Sequence, residues 1–398
     1  MNIPAIEGGT PVRDNKIGYG HQYIDEADIE AVCDVLRSDF LTCGPMITEL
    51  ERRLCELTGA KYAVACSNGT AALHIACLAA GVEEGDEVIT TPITFAASAN
   101  CALYCGATPV FADINDKTYN LDPAAVEEKI TDKTKAVVAV DFTGQAVELN
   151  RFQEICKKNN LVLIEDAAHS IGTAYNGKMV GSIADMTTFS FHPVKTVTGG
   201  EGGAVLTNNE EYYKQLLLYR AHGITRDESM MVNESHGPWY YEQVSLSTNY
   251  RMTDIQAALI VSQLDKLDDF SKRRKEIVAR YDEAFSDMPE IVVQEEIPES
   301  DTTRHLYILR INPNKLKIGR KEFFEAMAAE NIGCNVHYIP VYWHPFYQKL
   351  GYTKGGCPKA EKLYEEMMSL PLFYSMTDQD VADVIVAVKK IVDYYKVN

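Results

Sequence analysis

Residues 161–166 read LVLIED, an apolar run that ends in two acidic residues. Such a run predicts a buried strand of a parallel sheet, and ligands of open α/β sheets collect beyond the carboxyl ends of these strands. We therefore expect one of the two acids to face a binding site. The same acids are also typical of a solvated strand end or a helix cap, so this segment alone leaves both interpretations open.

Similar apolar or β-branched runs lie on both sides of this one. Between Asp25 and about Thr207 they alternate with segments of helical periodicity, which predicts successive βα units and a doubly wound, mostly parallel sheet. The predicted strands are 62–66, 86–90, 108–112, 136–141, 161–165, 186–191 and 203–207. The predicted helices are 26–38, 45–57, 70–80, 94–105, 123–130 and 149–159.

The second half of the chain does not continue this alternation of predicted strands and helices. Segment 208–248 is rich in aromatic residues and is expected to be irregular, covering a site or a subunit contact, and a long charged helix is expected at 253–285. After it we predict strands 305–311 and 334–338 and helices 320–330, 359–368 and 377–394. The expected division is a large domain at 1–255, with an N-terminal arm at 1–24, and a connecting helix with a small α/β domain at 256–398.

Composition excludes several classes of protein. The 398 residues are 46% apolar and 24% charged, which is typical of a folded globular chain. A formal charge of −19 disfavours general attraction to nucleic acids or anionic lipids. The charge-free stretch 88–112 contains prolines and polar residues and is interpreted as core, not as a membrane span. No secretory signal is visible, so a cytoplasmic location with reduced cysteines is expected.

Several common cofactor motifs are missing. The cysteines and histidines lack the spacing of a zinc site and no HExxH occurs, so we expect no metal. The absence of GxGxxG after the first strand and of GxxxxGK[ST] anywhere disfavours a nicotinamide dehydrogenase and a P-loop ATPase.

Three other segments suit a cofactor that carries both a phosphate and a nitrogen ring. Asn68, Gly69 and Thr70 begin a helix where a strand ends, so free backbone N–H groups and the helix dipole would meet a phosphate there, although an Asn cap with nothing bound looks the same. Lys195 precedes a glycine-rich turn and, if desolvated, becomes a nucleophile, although an exposed loop lysine is the simpler interpretation. With Asp166 against a ring nitrogen, this set matches pyridoxal phosphate (PLP).

A flat ring between these groups needs contacts on both faces. Phe95 opens a further helix at the same sheet edge and is expected to stack on one face, with Ala168 against the other. An aromatic residue of the core is the alternative for Phe95.

The ordered landmarks resemble those of the nucleotide-sugar aminotransferases of the DegT/DnrJ-like family, which are fold-type I PLP enzymes, over essentially the full length of the chain. The landmarks are LTCGP at 41–45, NGT at 68–70, TPITF at 91–95, EDAAH at 165–169, SFHPVK at 190–195, GEGG at 200–203, NYRM at 249–252 and SLPL at 369–372. The resemblance implies an α/β fold with a large PLP-binding domain and a smaller C-terminal domain.

The resemblance also implies roles by position. Lys195 and Asp166 would be catalytic, with Lys195 holding PLP as a covalent aldimine and Asp166 pairing with the ring nitrogen. His169 would approach the phenolic oxygen of the ring. The phosphate would be held by Ser190 and Thr70 together with Asn249 of a neighbouring subunit, which implies a homodimer with shared active sites. Relatives that dehydrate their sugar have His in place of Lys195, so this chain has the residue of a transaminase.

Segments 221–226, 237–242 and 336–341 are similar to the branch of the family that serves pseudaminic acid biosynthesis. That similarity implies amino transfer from L-glutamate to a 4-keto-6-deoxy UDP-N-acetylhexosamine, giving UDP-4-amino-4,6-dideoxy-N-acetyl-β-L-altrosamine. The residues expected to contact the nucleotide sugar are Tyr19, Thr42, His337 and Tyr338. Two alternatives stay open: another keto sugar (TDP-, GDP- or D-series UDP-linked), or a non-catalytic sugar-nucleotide-binding regulator of the same fold.

Overall fold

The computed structural model describes residues 3–397, and a seven-stranded sheet lies at its centre. The strand order is β1-β9-β8-β5-β4-β2-β3, and only β9 runs against the other six. The expectation of a mostly parallel sheet is thus confirmed. The strands of this sheet are β1 (Tyr62–Cys66), β2 (Glu87–Thr90), β3 (Thr108–Phe111), β4 (Thr134–Val140), β5 (Val162–Asp166), β8 (Met186–Ser190) and β9 (Gly203–Thr207).

Eight shorter strands form small sheets and hairpins around the central one. They are β6 (Ala174–Tyr175), β7 (Lys178–Met179), β10 (Ile224–Thr225), β11 (Glu242–Gln243), β12 (Ile291–Val292), β13 (Ser300–Asp301), β14 (Tyr307–Ile311) and β15 (Met367–Leu370). The sheet β12-β14-β15 belongs to the C-terminal part of the chain.

The α-helices of the described residues lie around these sheets. They are α1 (Glu26–Arg37), α2 (Pro45–Thr58), α3 (Gly69–Ala79), α4 (Ala97–Tyr104), α5 (Pro123–Glu127), α6 (Leu149–Asn159), α7 (Glu210–Arg220), α8 (Asp254–Leu264), α9 (Leu267–Phe285), α10 (Arg320–Ala329), α11 (Pro345–Lys349), α12 (Pro358–Glu366) and α13 (Asp378–Tyr395). None of these helices is both long enough and apolar enough to cross a membrane.

The central sheet is buried on both faces. Along β4, Val137 and Ala139 belong to one hydrophobic cluster, while Ala136 and Val138 belong to another on the opposite face. Successive side chains of a strand point to opposite faces, so a strand covered by helices on both sides must be apolar throughout. This explains why the central strands could be read from continuous apolar runs.

A third hydrophobic cluster lies in the C-terminal part, between α9, α10, α13 and the sheet β12-β14-β15. The N-terminal arm joins it: Ile17 is buried there, and Glu330 accepts hydrogen bonds from the backbone of Ala5 and Val12. The predicted division at residues 255 and 256 lies within α8, which packs against α1 and α2. We propose two domains that divide near this helix, because α8 packs against α1 and α2 whereas α9 packs against α13.

The prediction of an irregular segment at 208–248 was wrong for its first part, which forms α7. Asn209 begins this helix by accepting hydrogen bonds from the backbone N–H groups of Glu211 and Tyr212. Leu216 is buried, and the ring of Tyr213 stacks on that of Tyr62 in the edge strand β1. The helix was not predicted because no strand follows it, so this segment does not continue the alternation of strands and helices.

The single helix expected at 253–285 is two helices, α8 and α9, separated at Asp265 and Lys266. The backbone of Lys266 leaves the helical region, with φ −106° and ψ 1°. Its ammonium group lies 2.6 Å from a carboxylate oxygen of Asp25 and 2.8 Å from one of Asp28. The break is thus accompanied by ion pairs between Lys266 and residues more than 200 positions earlier in the chain, which a local sequence pattern cannot reveal.

Two predictions near the C-terminus were also wrong, one of a strand and one of the end of a helix. Segment 334–338 is not a strand: apart from one bridge between Asn335 and Ser369, its backbone is irregular. The helix expected at 359–368 ends at Glu366, and the following residues form β15, which pairs with β14. In both places backbone pairing with a distant segment decides the conformation, which local periodicity does not record.

Candidate active site

A cavity of about 630 Å³ opens at the carboxyl ends of the parallel strands. Its walls come from the starts of α3 and α4, the ends of β4, β5 and β8, the N-terminal arm and segment 335–338. This is the edge at which ligands of doubly wound sheets bind. The predicted site residues that line it are Tyr19, Asn68, Gly69, Thr70, Phe95, Asp166, Ala168, His169, Ser190, Lys195, His337 and Tyr338.

The helix α3 begins at one end of this cavity. Asn68 caps it, its side-chain oxygen accepting a hydrogen bond of 2.8 Å from the backbone N–H of Ala71. The first N–H groups of any helix lack partners within the helix and attract anions. A Cβ on Gly69 would lie 2.9 Å from the Cβ of Ser190, so only glycine lets the helix start approach that hydroxyl. The cradle has the shape and the donors that a phosphate needs.

Asp166, at the end of β5, faces the cavity, whereas Glu165 points to the other face of the sheet and accepts a hydrogen bond from Thr187. The alternation of side chains along a strand explains this division. Asp166 is only 4% exposed, which excludes the alternative of a solvated strand end. Its carboxylate accepts hydrogen bonds from Ser98 Oγ at 2.6 Å and from the backbone N–H of Ala168 at 3.2 Å.

The pKa of Asp166 is raised by burial, and this shift is opposed by the hydrogen bonds from Ser98 and Ala168 and by the charge of Lys195. A cation placed against this carboxylate would favour its ionised form. The site is therefore suited to a protonated ring nitrogen.

Lys195 lies in the loop after β8 and is half-buried in the cavity wall, so it is not an ordinary exposed lysine. Burial lowers the pKa of its amine to about 8, and the charge of Asp166 opposes that shift. An amine with this pKa is partly neutral near neutral pH, and the neutral amine is the nucleophile.

This pKa leads to a testable expectation. In the cofactor-free protein, we expect the rate of PLP attachment to rise with pH and to reach half its maximum near pH 8, because deprotonation exposes the attacking lone pair. Stopped-flow absorbance after mixing with PLP over a pH series measures this rate. A midpoint at the pH of an exposed lysine, about 10.4, would contradict the assigned environment.

His169 is buried at the side of the cavity. Its Nε2 lies 3.1 Å from the hydroxyl of Tyr338, its Nδ1 has no partner, and its ring lies 4.4 Å from that of His305. Burial lowers the pKa of His169 well below its usual value, with further lowering by the charges of Lys195 and His337. The ring is therefore neutral and has a free nitrogen.

Phe95 is 63% exposed, which excludes the alternative of a core aromatic. Its ring lies at the mouth of the cavity, 6.3 Å from the ring of Tyr338. Ala168 also lines the cavity, and its small side chain leaves room beside Asp166. Both residues predicted to contact the faces of a flat ring thus border the same space.

The residues expected to contact a sugar nucleotide are only partly brought together. Tyr19, His337 and Tyr338 line the cavity, and the rings of Tyr19 and His337 lie 5.2 Å apart. Thr42 is exposed outside the cavity, where it forms a backbone bridge with Thr253. Asn249 is also exposed outside it, and its side chain accepts a hydrogen bond from the backbone of Arg251.

Two side chains at the site were not predicted from the sequence: Ser98, which lines the cavity, and His305, which lies behind His169. Ser98 holds the carboxylate of Asp166, and His305 contacts His169. Neither stands in a recognisable motif: Ser98 lies in a run of small helix residues, and His305 comes just before a strand. No local signal marks either residue, because each partner is distant in the chain.

The cavity walls also carry an uneven set of charges. The charged residues among those that line the cavity are Asp166, Lys195 and Glu201. Among residues 3–397, no arginine lines this cavity. Substrates that carry carboxylates or a diphosphate would therefore find few cationic partners within one chain.

Comparison with known proteins agrees with this geometry. Residues 22–389 match the DegT/DnrJ/EryC1/StrS aminotransferase family. The spore coat polysaccharide biosynthesis protein SpsC of Bacillus subtilis is 41% identical over 96% of this chain and 98% of that protein. A UDP-4-amino-4,6-dideoxy-N-acetyl-beta-L-altrosamine transaminase of Campylobacter jejuni is 38% identical over 92% of this chain and 94% of that protein.

Solved structures of similar proteins share the fold of this chain. The PLP form of Spr1654 of Streptococcus pneumoniae, named a putative sugar aminotransferase, is 34% identical, with a TM-score of 0.88 over 95% of this chain and 99% of that chain. PseC of Helicobacter pylori, an aminotransferase involved in the biosynthesis of pseudoaminic acid, is 33% identical, with a TM-score of 0.88 over 96% of this chain and 100% of that chain.

Proposed function

This chain belongs to the DegT/DnrJ/EryC1/StrS aminotransferase family, and from this premise we propose that it aminates a 4-keto-6-deoxy UDP-N-acetylhexosamine with L-glutamate as donor. The product would be UDP-4-amino-4,6-dideoxy-N-acetyl-β-L-altrosamine, for pseudaminic acid biosynthesis. Membership of the family makes the chain a PLP-dependent sugar aminotransferase. The choice of sugar is supported by the names of relatives that are 34–38% identical.

The observation that carries the proposal is the pairing of Lys195 and Asp166 in one cavity whose far end is the start of α3. The residues fit PLP: a Cβ at Gly69 would fill the phosphate cradle, and His169 has an unpartnered buried nitrogen. When bound, PLP supplies a reactive aldehyde carbon and a ring that accepts electrons. We propose that Lys195 binds it covalently through its amine.

The other residues would hold and orient the cofactor. Ser190, Thr70 and the N–H groups at Asn68 and Gly69 would bind the phosphate. Asp166 would keep the ring nitrogen protonated, since a buried carboxylate stabilises a cation at that atom. Phe95 and Ala168 would contact the two ring faces, and His169 would bind the phenolic oxygen. These contacts fix the orientation of the reacting bond before the proton moves.

Lys195 would also move the protons. When it is not bonded to the cofactor, its Nζ would take the proton from the α-carbon of the donor, and in the second half of the cycle it would deliver a proton to C4 of the sugar. An amine with a pKa of about 8 can both accept and release a proton near neutral pH. Tyr19, His337 and Tyr338 border the space where the hexose would lie.

We propose a homodimer in which each site borrows residues from the other subunit. Supporting it, Asn249 is exposed outside the cavity of its own chain, and the described walls of that cavity lack an arginine for the anionic substrates. Thr42 is exposed in the same way and would meet the nucleotide of the second site.

A mixing experiment tests the shared site. Lys195→Ala and Asn249→Ala should each be inactive, but co-expression with two different tags should restore about a quarter of the wild-type activity. In this mixture half the dimers are mixed, and each mixed dimer has one intact site. Mixed dimers without activity, beside active wild-type dimers purified in the same way, would refute Asn249 acting across the interface.

The sugar assignment is tested by incubating the purified protein with glutamate and a panel of 4-keto nucleotide sugars, followed by NMR of the amine. We expect amination of the L-arabino 4-keto UDP-sugar and the L-altro product. A second candidate is another keto sugar, favoured by the 41% identity to SpsC, whose name refers to spore coat polysaccharide. Amination of a TDP-, GDP- or D-series UDP-sugar alone would select that candidate.

We also propose that the protein acts in the cytoplasm. All ten cysteines are free, as expected where thiols stay reduced.

A further inference from the structure

We propose that His305 is a positioning residue for His169, holding the ring of His169 in the plane from which a nitrogen reaches the phenolic oxygen of PLP. This role rests on the proposed function, because it requires PLP in the cavity. His305 does not line the cavity itself and would act only through His169.

The backbone of His305 is held on both sides. Its N–H donates a hydrogen bond of 2.8 Å to the carbonyl of Thr143, and its carbonyl accepts one of 3.2 Å from the guanidinium of Arg274. The side chain is buried, with the whole residue 5% exposed. A residue fixed in this way presents its ring at a constant position.

The ring of His305 contacts the ring of His169, with centroids 4.4 Å apart and planes inclined by 44°. His169 is also held by Tyr338, whose hydroxyl lies 3.1 Å from Nε2 and whose ring is inclined by only 22°. A third ring, that of Phe142, lies 6.4 Å from His169. Three aromatic neighbours, of which His305 is the nearest, and one hydrogen bond therefore restrict rotation of the His169 ring. Without His305 the nearest ring contact is lost, and the hydrogen bond to Tyr338 and the more distant rings of Tyr338 and Phe142 would allow the ring to tilt.

The unpaired nitrogen of His169 supports a role for this ring beyond packing. Nδ1 of His169 and Nδ1 of His305 are both buried without a hydrogen-bond partner. Buried polar groups are normally paired, and an unpaired one in a native site calls for a functional explanation. For His169, which lines the cavity, that explanation is a ligand atom.

The electrostatic surroundings keep both rings neutral. Burial lowers the pKa of His305 well below its usual value, and the positive charges of Lys195 and Arg274 lower it further. Arg274 is buried too, and its Nη1 donates to the carbonyls of His305 and Leu372. A neutral His169 donates a hydrogen bond to a phenolic oxygen without transferring its proton, so its angle matters more than its charge.

The test uses His305→Asn, His169→Asn and the double variant, with His344→Asn as a control at another histidine. We expect His305→Asn to lower kcat roughly tenfold, as for loss of one hydrogen bond to a charged oxygen, with KM little changed. The absorption spectrum of the bound PLP should change as well, because this spectrum reports the environment of the phenolic oxygen. A role in packing alone would not alter the spectrum.

The double variant separates action through His169 from an independent effect. We expect it to be no slower than His169→Asn alone, whereas independent effects would multiply and make it about tenfold slower than His169→Asn. His305→Phe keeps a ring and removes the unpaired nitrogen, so it should fold stably and restore the wild-type spectrum and most of kcat. It also provides the answer if His305→Asn does not fold.

Two results would overturn the role of His305 and leave the proposed function intact. In the first, the losses of kcat in the two single variants multiply in the double variant. In the second, His169→Asn alters the spectrum of bound PLP but His305→Asn does not. Likewise, a His305→Phe variant that folds but keeps neither the spectrum nor kcat would show that the ring contact is not what positions His169. A wild-type protein that binds no PLP would instead overturn the proposed function itself.

Discussion

Lys195→Ala is expected to abolish covalent attachment of PLP and to lower turnover by roughly 10⁴-fold, the upper range for removal of a proton-transferring group. Both steps assigned to Lys195 need the same lone pair on Nζ, and no other lysine lines the described cavity. The visible absorption of the purified protein after addition of PLP measures the first loss. Steady-state amination of the keto sugar measures the second.

Two controls make this result specific. Lys195→Arg keeps the positive charge beside Asp166 but removes the nucleophile, so it should be as inactive as the alanine variant. Lys178→Ala changes an exposed lysine of β7 and should behave like wild type. A Lys195→Ala protein with normal visible absorption and full activity would refute the assignment, and binding of PLP without turnover by the wild type would favour the non-catalytic regulator.

Asp166→Asn is expected to lower kcat by roughly 10³-fold, the range found when a preorganised electrostatic contact is removed, while PLP stays attached to Lys195. Burial raises the pKa of Asp166 in the protein alone, but a ring cation and the ammonium of Lys195 favour the carboxylate. An amide cannot supply that negative charge, so the ring nitrogen would lose its proton and accept electrons poorly. Single-turnover kinetics with glutamate isolate this step from binding of the sugar.

The adjacent acid provides a matched control. Glu165 is buried on the opposite face, beside Asp141 and hydrogen-bonded to Thr187, and burial raises its pKa to about 7. Glu165→Gln replaces a partly protonated carboxyl with a group of equal size, so activity should stay within about threefold of wild type. If Glu165→Gln were the more damaging substitution, the assignment of the two acids would be reversed.

Local patterns located most of the central sheet. Each of its seven strands is a short run rich in apolar or β-branched residues, and several helices begin at recognisable caps such as Asn68 and Asp122. These signals are reliable because burial on both faces demands a continuous apolar sequence, and because a cap needs only residues within one turn. Of the failures, the break between α8 and α9 is accompanied by an ion pair with distant residues, whereas α7 has a local cap at Asn209 and was missed because no strand follows it.

Twelve of the fourteen predicted site residues line one cavity. Motifs at the carboxyl ends of parallel strands meet at one sheet edge by topology alone, which is why residues as far apart in sequence as Asn68 and Lys195 could be grouped. Thr42 and Asn249 lie outside it, and a single chain does not reveal the second subunit they are proposed to serve.

The order of apolar runs and the residue types at their ends were enough to indicate the fold class, the cofactor and the two central residues, Lys195 and Asp166. The tertiary structure was needed to show that Asp166 and not Glu165 faces the cavity, that Ser98 holds its carboxylate, and that His305 contacts His169. The reason is the separation along the chain: strand periodicity and helix capping depend on residues only a few positions apart, whereas these contacts join positions 68 residues apart or more.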